Sequence, residues 1–384
     1  MEHYKLVATA AFGLESVVAR ELKNLGFDDV LVENGRLSYA GRERDIARSN
    51  IWLRTADRVM IEMARFRAAD FEELFQGVLS VPWEEIIPFS GTIHVRGRSS
   101  QSKLSSVPSC QAVVKKAIIE SLKRKHPVGT FPETGPRFAV EVSILKDMAT
   151  ICLDTTGAGL HKRGYRKGSG EAALKETLSA GLVYLSRWRP PGVLADPFCG
   201  SGTIAIEAAL ITRNIAPGMM RRFAAEEWPF IEARVWEEAR SEARSLMNKE
   251  KVRIIASDAD DKVLLRARQN ARHAGVSSCI EFRKGDFREL KPQEAGGTVI
   301  CNPPYGERLG DKRSISELCK DMGRAFQGFD GWSFFIFTGF EEFEKYYGKR
   351  ADGNRKLYNA RIKCYLYEYS GKSKRKYESQ RVGN

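Results

Sequence analysis

The sequence predicts an α/β fold, a doubly wound parallel sheet with an antiparallel edge strand, preceded by a smaller α+β region. Three observations carry that expectation. Beyond Gly192, short apolar runs alternate with helical patterns, as βαβ units with right-handed crossovers require. Several of those runs end in a glycine-rich turn or an aspartate, where open α/β sheets keep their chemistry. Before residue 155, strands, amphipathic helices and a hairpin signal follow one another without that regular alternation. At 384 residues the chain is long enough for two or three domains, each with its own core.

Residues 4–9 read as a strand and 14–25 as an amphipathic helix closed by Gly26, with Val17, Val18, Leu22 and Leu25 on one face. Strands at 30–32 and 36–39 are turned by Asn34-Gly35. Further elements are expected at 51–67, 71–79, 92–98, 109–124, 137–145 and 148–154, with a Gly-, Lys- and Arg-rich connector at 157–170. In the second half, strands at 193–198, 252–258, 280–284, 298–301 and 332–337 alternate with helices at 204–211, 262–274 and 314–326. Residues 356–358 and 362–369 close the sheet as antiparallel strands.

A net charge of +13 and a pI near 9.4 point to a polyanionic partner. The excess clusters: Arg96, Arg98, Lys103, Lys115, Lys116, Lys123, Arg124 and Lys125 share one window in which Glu120 is almost the sole acid, and these are candidates for phosphate contacts. The run 372–376 reads as a solvated basic tail. Seven cysteines, none in a CxxC pair or at ligand spacing from a histidine, argue against a zinc or other metal site and fit reduced thiols in the cytoplasm. The N-terminus is unlike a signal peptide, and the apolar run at 332–340 covers about half a bilayer, so no membrane span is expected.

Asp196-Pro197-Phe198-Cys199-Gly200-Ser201-Gly202-Thr203 follows a strand and opens a helix. Gly200 and Gly202 let a ligand approach the backbone and the helix amino end. The loop lacks the Lys-Ser/Thr ending of a P-loop and the third glycine of the dinucleotide fingerprint. Asp258 and Asp286 each follow a later strand; one carboxylate there can accept both ribose hydroxyls and the other an adenine amine. Asp260 reads as a helix N-cap. Asn302-Pro303-Pro304-Tyr305 follows the strand at 298–301, and its extended prolines leave acceptors beside an aromatic ring, suited to a planar base with an exocyclic amine. Cys199 and Cys301 flank both motifs and read as small buried residues.

This order of motifs resembles a class I S-adenosylmethionine-dependent methyltransferase of the amino-methylating kind, with a Rossmann-like domain. The form of the glycine loop, together with His161-Lys162-Arg163-Gly164-Tyr165-Arg166, Leu174-Lys175-Glu176-Thr177-Leu178 and Asn302-Pro303-Pro304-Tyr305-Gly306-Glu307-Arg308-Leu309, resembles the THUMP-containing RNA guanine-N2 methyltransferases. That resemblance runs over nearly the whole chain. It implies a ferredoxin-like unit at 1–50, a THUMP RNA-binding module at 51–159 and a catalytic domain at 160–384. Ala173 stands where many relatives have proline.

The resemblance further implies S-adenosylmethionine held by Asp196, Phe198, Gly200, Gly202 and Thr203, with Asp258 on its ribose, Asp286 on its adenine, and Lys175 and Glu176 in support. Asn302, Pro303, Pro304 and Tyr305 would hold and stack the target base, while Arg163 and Arg166 would join the phosphate contacts. The substrate it implies is structured RNA, with 23S ribosomal RNA ahead of transfer RNA. Adenine-N6 methylation of RNA or DNA and a non-catalytic RNA-binding maturation factor are the competing readings.

Overall fold

A computed structural model describes residues 3–166, 174–291, 296–305 and 312–371. Ala173, Gly306-Glu307-Arg308-Leu309, the end of the 157–170 connector and the basic run at 372–376 lie outside them.

The chain forms two units that interleave along the sequence: Met1–Ala10, Val18–Leu160 and Arg221–Ala243 make the first, and Ala11–Val17, His161–Met220 and Arg244–Asn384 the second. The first is built on β1 (Tyr4–Ala10), β2 (Leu31–Glu33), β3 (Arg36–Gly41), β4 (Ala56–Arg67), β5 (Thr92–Ser100), β6 (Arg137–Leu145) and β7 (Met148–Asp154). These form one sheet in the order β2-β3-β1-β4-β7-β6-β5, antiparallel throughout except for β5 beside β6. Helices α1 (Glu15–Asn24) and α2 (Glu43–Trp52) complete a βαββαβ pattern through β4. The segment expected as one element at 51–67 is instead the end of α2 followed by β4. Next come α3 (Phe71–Leu79), the single turn α4 (Trp83–Ile86) and α5 (Val107–Lys123).

Residues 221–243 return from the second half of the sequence into this unit's core. Trp228 stacks on Phe138 at 5.1 Å between ring centroids, and its Nε1–H donates to the Arg137 carbonyl at 3.0 Å. Arg221 donates to the carbonyls of Thr156, Ala158 and Gly159. Most of this insertion's second half is α8 (Ala233–Ser245).

The second unit contains β8 (Leu194–Asp196), β9 (Ile254–Asp258), β10 (Ile280–Lys284), β11 (Gly297–Cys301), β12 (Trp332–Thr338), β13 (Gly353–Asn359) and β14 (Ile362–Tyr369) in the order β10-β9-β8-β11-β12-β14-β13. The five strands from β10 to β12 are parallel; β14 runs antiparallel to both neighbours. Helices cover both faces. Around α6 (Glu176–Leu185), α7 (Thr203–Thr212) and α9 (Asp261–His273), one core gathers Leu178, Leu210, Leu264, Ile300 and Phe335. Around α10 (Lys312–Phe326) and α11 (Phe343–Tyr347), the other gathers Val299, Cys301, Met322, Phe334 and Phe343. Strands buried on both faces are apolar at every position, which is why Val299-Ile300-Cys301 and the Phe334–Phe337 stretch carry no polar alternation.

Candidate active site

Four adjacent strands, β10, β9, β8 and β11, bring their carboxyl ends into one row about 14 Å across, three interstrand spacings. Asp196 ends β8 and Asp258 ends β9, while Asp286 lies two residues past β10 and Asn302 one residue past β11. The glycine loop leaves β8 and enters α7 through Gly202, which caps the helix at φ +82°. A Cβ on Gly202 would come within 3.1 Å of the Ala267 Cβ on α9, so both conformation and space require glycine there. At Gly200, φ is +53° and a Cβ would meet nothing within 4 Å, leaving backbone exposed to whatever occupies the loop.

Side chains brace the loop from three directions. Asp258 Oδ2 accepts the Gly200 N–H at 3.0 Å, and Asp258 Oδ1 accepts the Asp260 N–H at 3.1 Å. Asn270 on α9 donates to the Ser201 carbonyl at 3.0 Å. Arg166 donates to Thr203 Oγ1 and to the Leu174 carbonyl, and pairs with Glu176 at 3.2 Å. Lys175 is the N-cap of α6 and Asp260 that of α9, accepting from the Lys262 N–H at 2.8 Å.

Asp196 is buried. Its Oδ1 accepts the Phe198 N–H at 3.2 Å, and its Oδ2 has no hydrogen-bond partner among the described residues. Burial pushes its carboxyl up to about 8, with the Asp258 charge adding to the effect and the Phe198 N–H opposing it. Asn302 Oδ1 is likewise enclosed without a partner among the described residues. The Phe198 ring packs on Phe287 at 4.8 Å. Asp286 caps the turn Phe287–Glu289 through the Arg288 N–H at 2.9 Å and pairs with the Arg288 guanidinium at 2.7 Å. The Cys199 and Cys301 thiols are buried and held far above the ordinary range, first by burial and then by nearby Asp196, so neither is poised as a nucleophile.

Two expectations need correction. Arg163 is no phosphate contact: it is 2% exposed, with Nε 3.5 Å from Glu207 Oε1, which also accepts from the Tyr165 hydroxyl at 3.1 Å. Arg166 is mostly enclosed and committed to the loop, as described above. A buried guanidinium persists only when paired, and Glu207, within an otherwise apolar helix, supplies the partner. Tyr305, expected to present its ring for stacking, is buried against Gly339; Asn359 Nδ2 donates to its hydroxyl at 3.0 Å and the Cys364 thiol at 3.5 Å. A base reaches the Tyr305 face only after that packing is given up.

The basic window of the first unit does not form one patch. Gly97 faces α5, where a Cβ would touch Val107 and Gln111, so Arg96 and Arg98 point to the opposite face of the sheet. Lys115, Lys116 and Lys123 sit on α5 itself and Arg124 is its C-cap, while Lys103 precedes the helix. Lys115 pairs with Glu133 at 2.7 Å, Lys123 with Glu120 at 2.8 Å and Arg124 with Glu84 at 3.5 Å. On the face away from α5, register aligns Arg65, Thr150, Ser143 and Arg98 across β4, β7, β6 and β5. They line a hollow of about 620 Å³ with Arg36, Lys146, Glu33 and Glu62. Arg36 and Arg65 were not among the sequence candidates; only strand register brings them beside Arg98.

Among the described residues no cluster of His, Cys, Asp and Glu is arranged to hold a metal, and no helix is long and apolar enough to cross a membrane.

The parallel sheet, the glycine loop at α7 and the row of strand-end acids define a class I methyltransferase. A family model described as "RMKL-like, methyltransferase domain" matches residues 163–368, preceded by "RlmL ferredoxin-like domain" at 5–60 and "THUMP domain" at 68–154. The chain belongs to the RMKL-like methyltransferase family. It is 45% identical over 375 residues, 97% of each chain, to the "Putative RNA methyltransferase YpsC" of Bacillus subtilis (strain 168). To the "Ribosomal RNA large subunit methyltransferase K/L" of Syntrophotalea carbinolica it is 35% identical over 379 residues, 95% of this chain but 53% of that protein. Among solved structures, "SMU.472, a putative methyltransferase complexed with SAH" superposes with a TM-score of 0.91 at 42% identity, covering 97% of this chain and 99% of that one. A "predicted N6-adenine-specific DNA methylase" from Listeria monocytogenes str. 4b F2365 also gives 0.91, at 46% identity over 97% of each chain.

S-adenosylmethionine is the methyl donor of this class, and the residues present fit it. Two enclosed acceptors without partners among the described residues, Asp196 Oδ2 and Asn302 Oδ1, and open backbone at Gly200 suit a cationic, amine-bearing ligand.

Proposed function

We propose that this protein transfers a methyl group from S-adenosylmethionine to the exocyclic N2 amine of a guanosine in structured RNA, with 23S ribosomal RNA as the substrate class. The observation that carries the amine-methylating part is the enclosed Oδ1 of Asn302, without a partner among the described residues, one residue past β11 and one strand from Asp196. When bound, the cofactor supplies an electrophilic methyl group on a positively charged sulfur. Gly200 and Gly202 would admit it to the loop, Asp196 would face its cationic end, Asp258 would accept from its ribose, and Asp286, which pairs with Arg288, would accept from its adenine amine.

A guanine amine is a weak nucleophile because its lone pair is delocalised into the ring. Asn302 Oδ1 and the Pro303 carbonyl, accepting its two hydrogens, favour the pyramidal nitrogen and absorb the positive charge that develops during transfer. The proton becomes acidic only after transfer, so no strong base is needed beforehand. Tyr305 anchors this loop through Asn359 and Cys364. RNA as the polymer is supported by the THUMP match at 68–154 and by the names of the two curated relatives.

Adenine-N6 methylation is the second reading, because the Asn302 acceptor serves any exocyclic amine and the similar Listeria protein carries that description. Labelled methyl transfer onto RNA from a strain lacking the protein, followed by nucleoside analysis, separates the two. N2-methylguanosine is expected; N6-methyladenosine would replace the proposal with the second reading.

A further inference from the structure

We propose that the face of the β13–β14 hairpin carrying Lys356 and Tyr358, extended by Phe12, is a track for the single-stranded RNA segment adjoining the target nucleotide. This rests on the RNA-methylating reading above. Register sets Lys356 opposite Tyr365 and Tyr358 opposite Lys363, so one face of the hairpin carries a checkerboard of two tyrosines and two lysines. The Lys356 ammonium lies 5.5 Å from the Tyr358 ring centroid and 5.9 Å from that of Phe12, and Lys363 lies 5.9 Å from Tyr365. Phe12 is 50% exposed and meets Tyr358 edge-on at 5.8 Å.

Phe12 is not a stray surface residue. Residues 11–17 belong to this unit, Leu14 is in its core, and Arg355 on β13 donates to the Gly13 carbonyl at 3.0 Å, holding the Phe12 turn against the edge strand. The track is continuous with the reacting loop. The hairpin turn lies at the carboxyl end of the sheet, since Tyr365 pairs with Thr338 at the end of β12, and Asn359, the last residue of β13 before that turn, binds the Tyr305 hydroxyl. Exposed Arg361 lies in the turn and exposed Ile362 opens β14. One acid, Glu341, pairs with Lys363 at 2.5 Å, which leaves the balance of the face cationic. Aromatic rings interleaved with cations bind unpaired nucleotides by stacking and phosphate attraction, largely without regard to sequence. A methyltransferase whose target base must be unstacked needs its neighbours held in that state.

The test uses the full-length protein with S-adenosylhomocysteine and a fluorescein-labelled single-stranded oligoribonucleotide of mixed sequence, read by anisotropy. Removing both rings in F12A/Y358A should weaken binding about tenfold or more, and the ring-retaining F12W/Y358F should restore it. Cofactor affinity by calorimetry should be unchanged in both, and with unmethylated RNA as substrate the loss should appear in KM rather than kcat. Wild-type affinity in F12A/Y358A, or equal loss in F12W/Y358F, would overturn the track. Capture of an acidic protein with no change in oligonucleotide binding would do the same. Failure of the wild-type protein to methylate any RNA would instead overturn the reading on which the track rests.

Discussion

The carboxylate of Asp258 accepts the backbone N–H of Gly200 at 3.0 Å, tying the end of β9 to the turn that leaves β8. The group expected to bind the cofactor ribose thus also holds the glycine loop in shape. D258A is expected to weaken cofactor binding by about 10- to 100-fold, the cost of a charge-assisted hydrogen bond and a loosened loop. Calorimetry with S-adenosylhomocysteine checks this; unchanged affinity would remove Asp258 from the site.

Asp196 gives a pH signature. Its folded value of about 8 exceeds the ordinary 3.8, so the folded, ligand-free protein keeps a proton that the unfolded chain has released. Its contribution to stability therefore falls as pH rises from about 4 to 8 and levels above that. D196N should flatten this slope relative to wild type in melting temperatures taken across that range. Because a cationic ligand prefers the ionised carboxylate, wild-type cofactor affinity should rise with pH up to about 8.

Removing Asn302 Oδ1 should leave cofactor affinity intact and slow transfer. By analogy with the loss of one preorganised hydrogen-bonding group, N302A is expected to lower kcat by about 10²- to 10³-fold. Single-turnover kinetics with labelled cofactor measure it, and a change confined to KM would argue against a role in the transition state.

The Arg163–Glu207 pair predicts a stability effect where the sequence pointed to RNA binding. R163A strands a buried carboxylate and should cost about 3–5 kcal/mol in the denaturant transition of the catalytic unit. RNA affinity measured well below that transition should be unchanged.

On the first unit, R65E/R98E reverses two charges on one row of the sheet. RNA binding should weaken, and the slope of log affinity against log salt should shrink by about two. A K115E/K116E pair on α5 serves as the control for the opposite face.

The second unit was legible because its central strands β11 and β12 are buried on both sides and therefore read as apolar runs with little polar interruption. Helix α2 was missed because Asp45, Ser49 and Asn50 are among its buried residues, which interrupts the apolar stripe that marks a helix. Helix α8 was missed because its buried face is only Trp236, Ala239 and Ala243 among arginines and glutamates. In the site, the motif residues stood out because each follows a strand. The environment of Arg163 did not, since its partner is 44 positions away. The Arg65–Arg98 row was equally invisible, being assembled by register from four separate strands.

The return of residues 221–243 into the first unit has a consequence for synthesis. An emerging chain that has reached residue 160 has made all seven strands of the first sheet, yet Phe138 still lacks Trp228 and the carbonyls of Thr156, Ala158 and Gly159 still lack Arg221. On the ribosome, the nascent first unit must wait until β8 and α7 have been translated before its core can close. Amino-terminal domains ordinarily fold first, as self-contained pieces. Here the order of translation and the order of folding are offset, and a ribosome stalled before residue 228 would hold a first sheet with one aromatic face still wet.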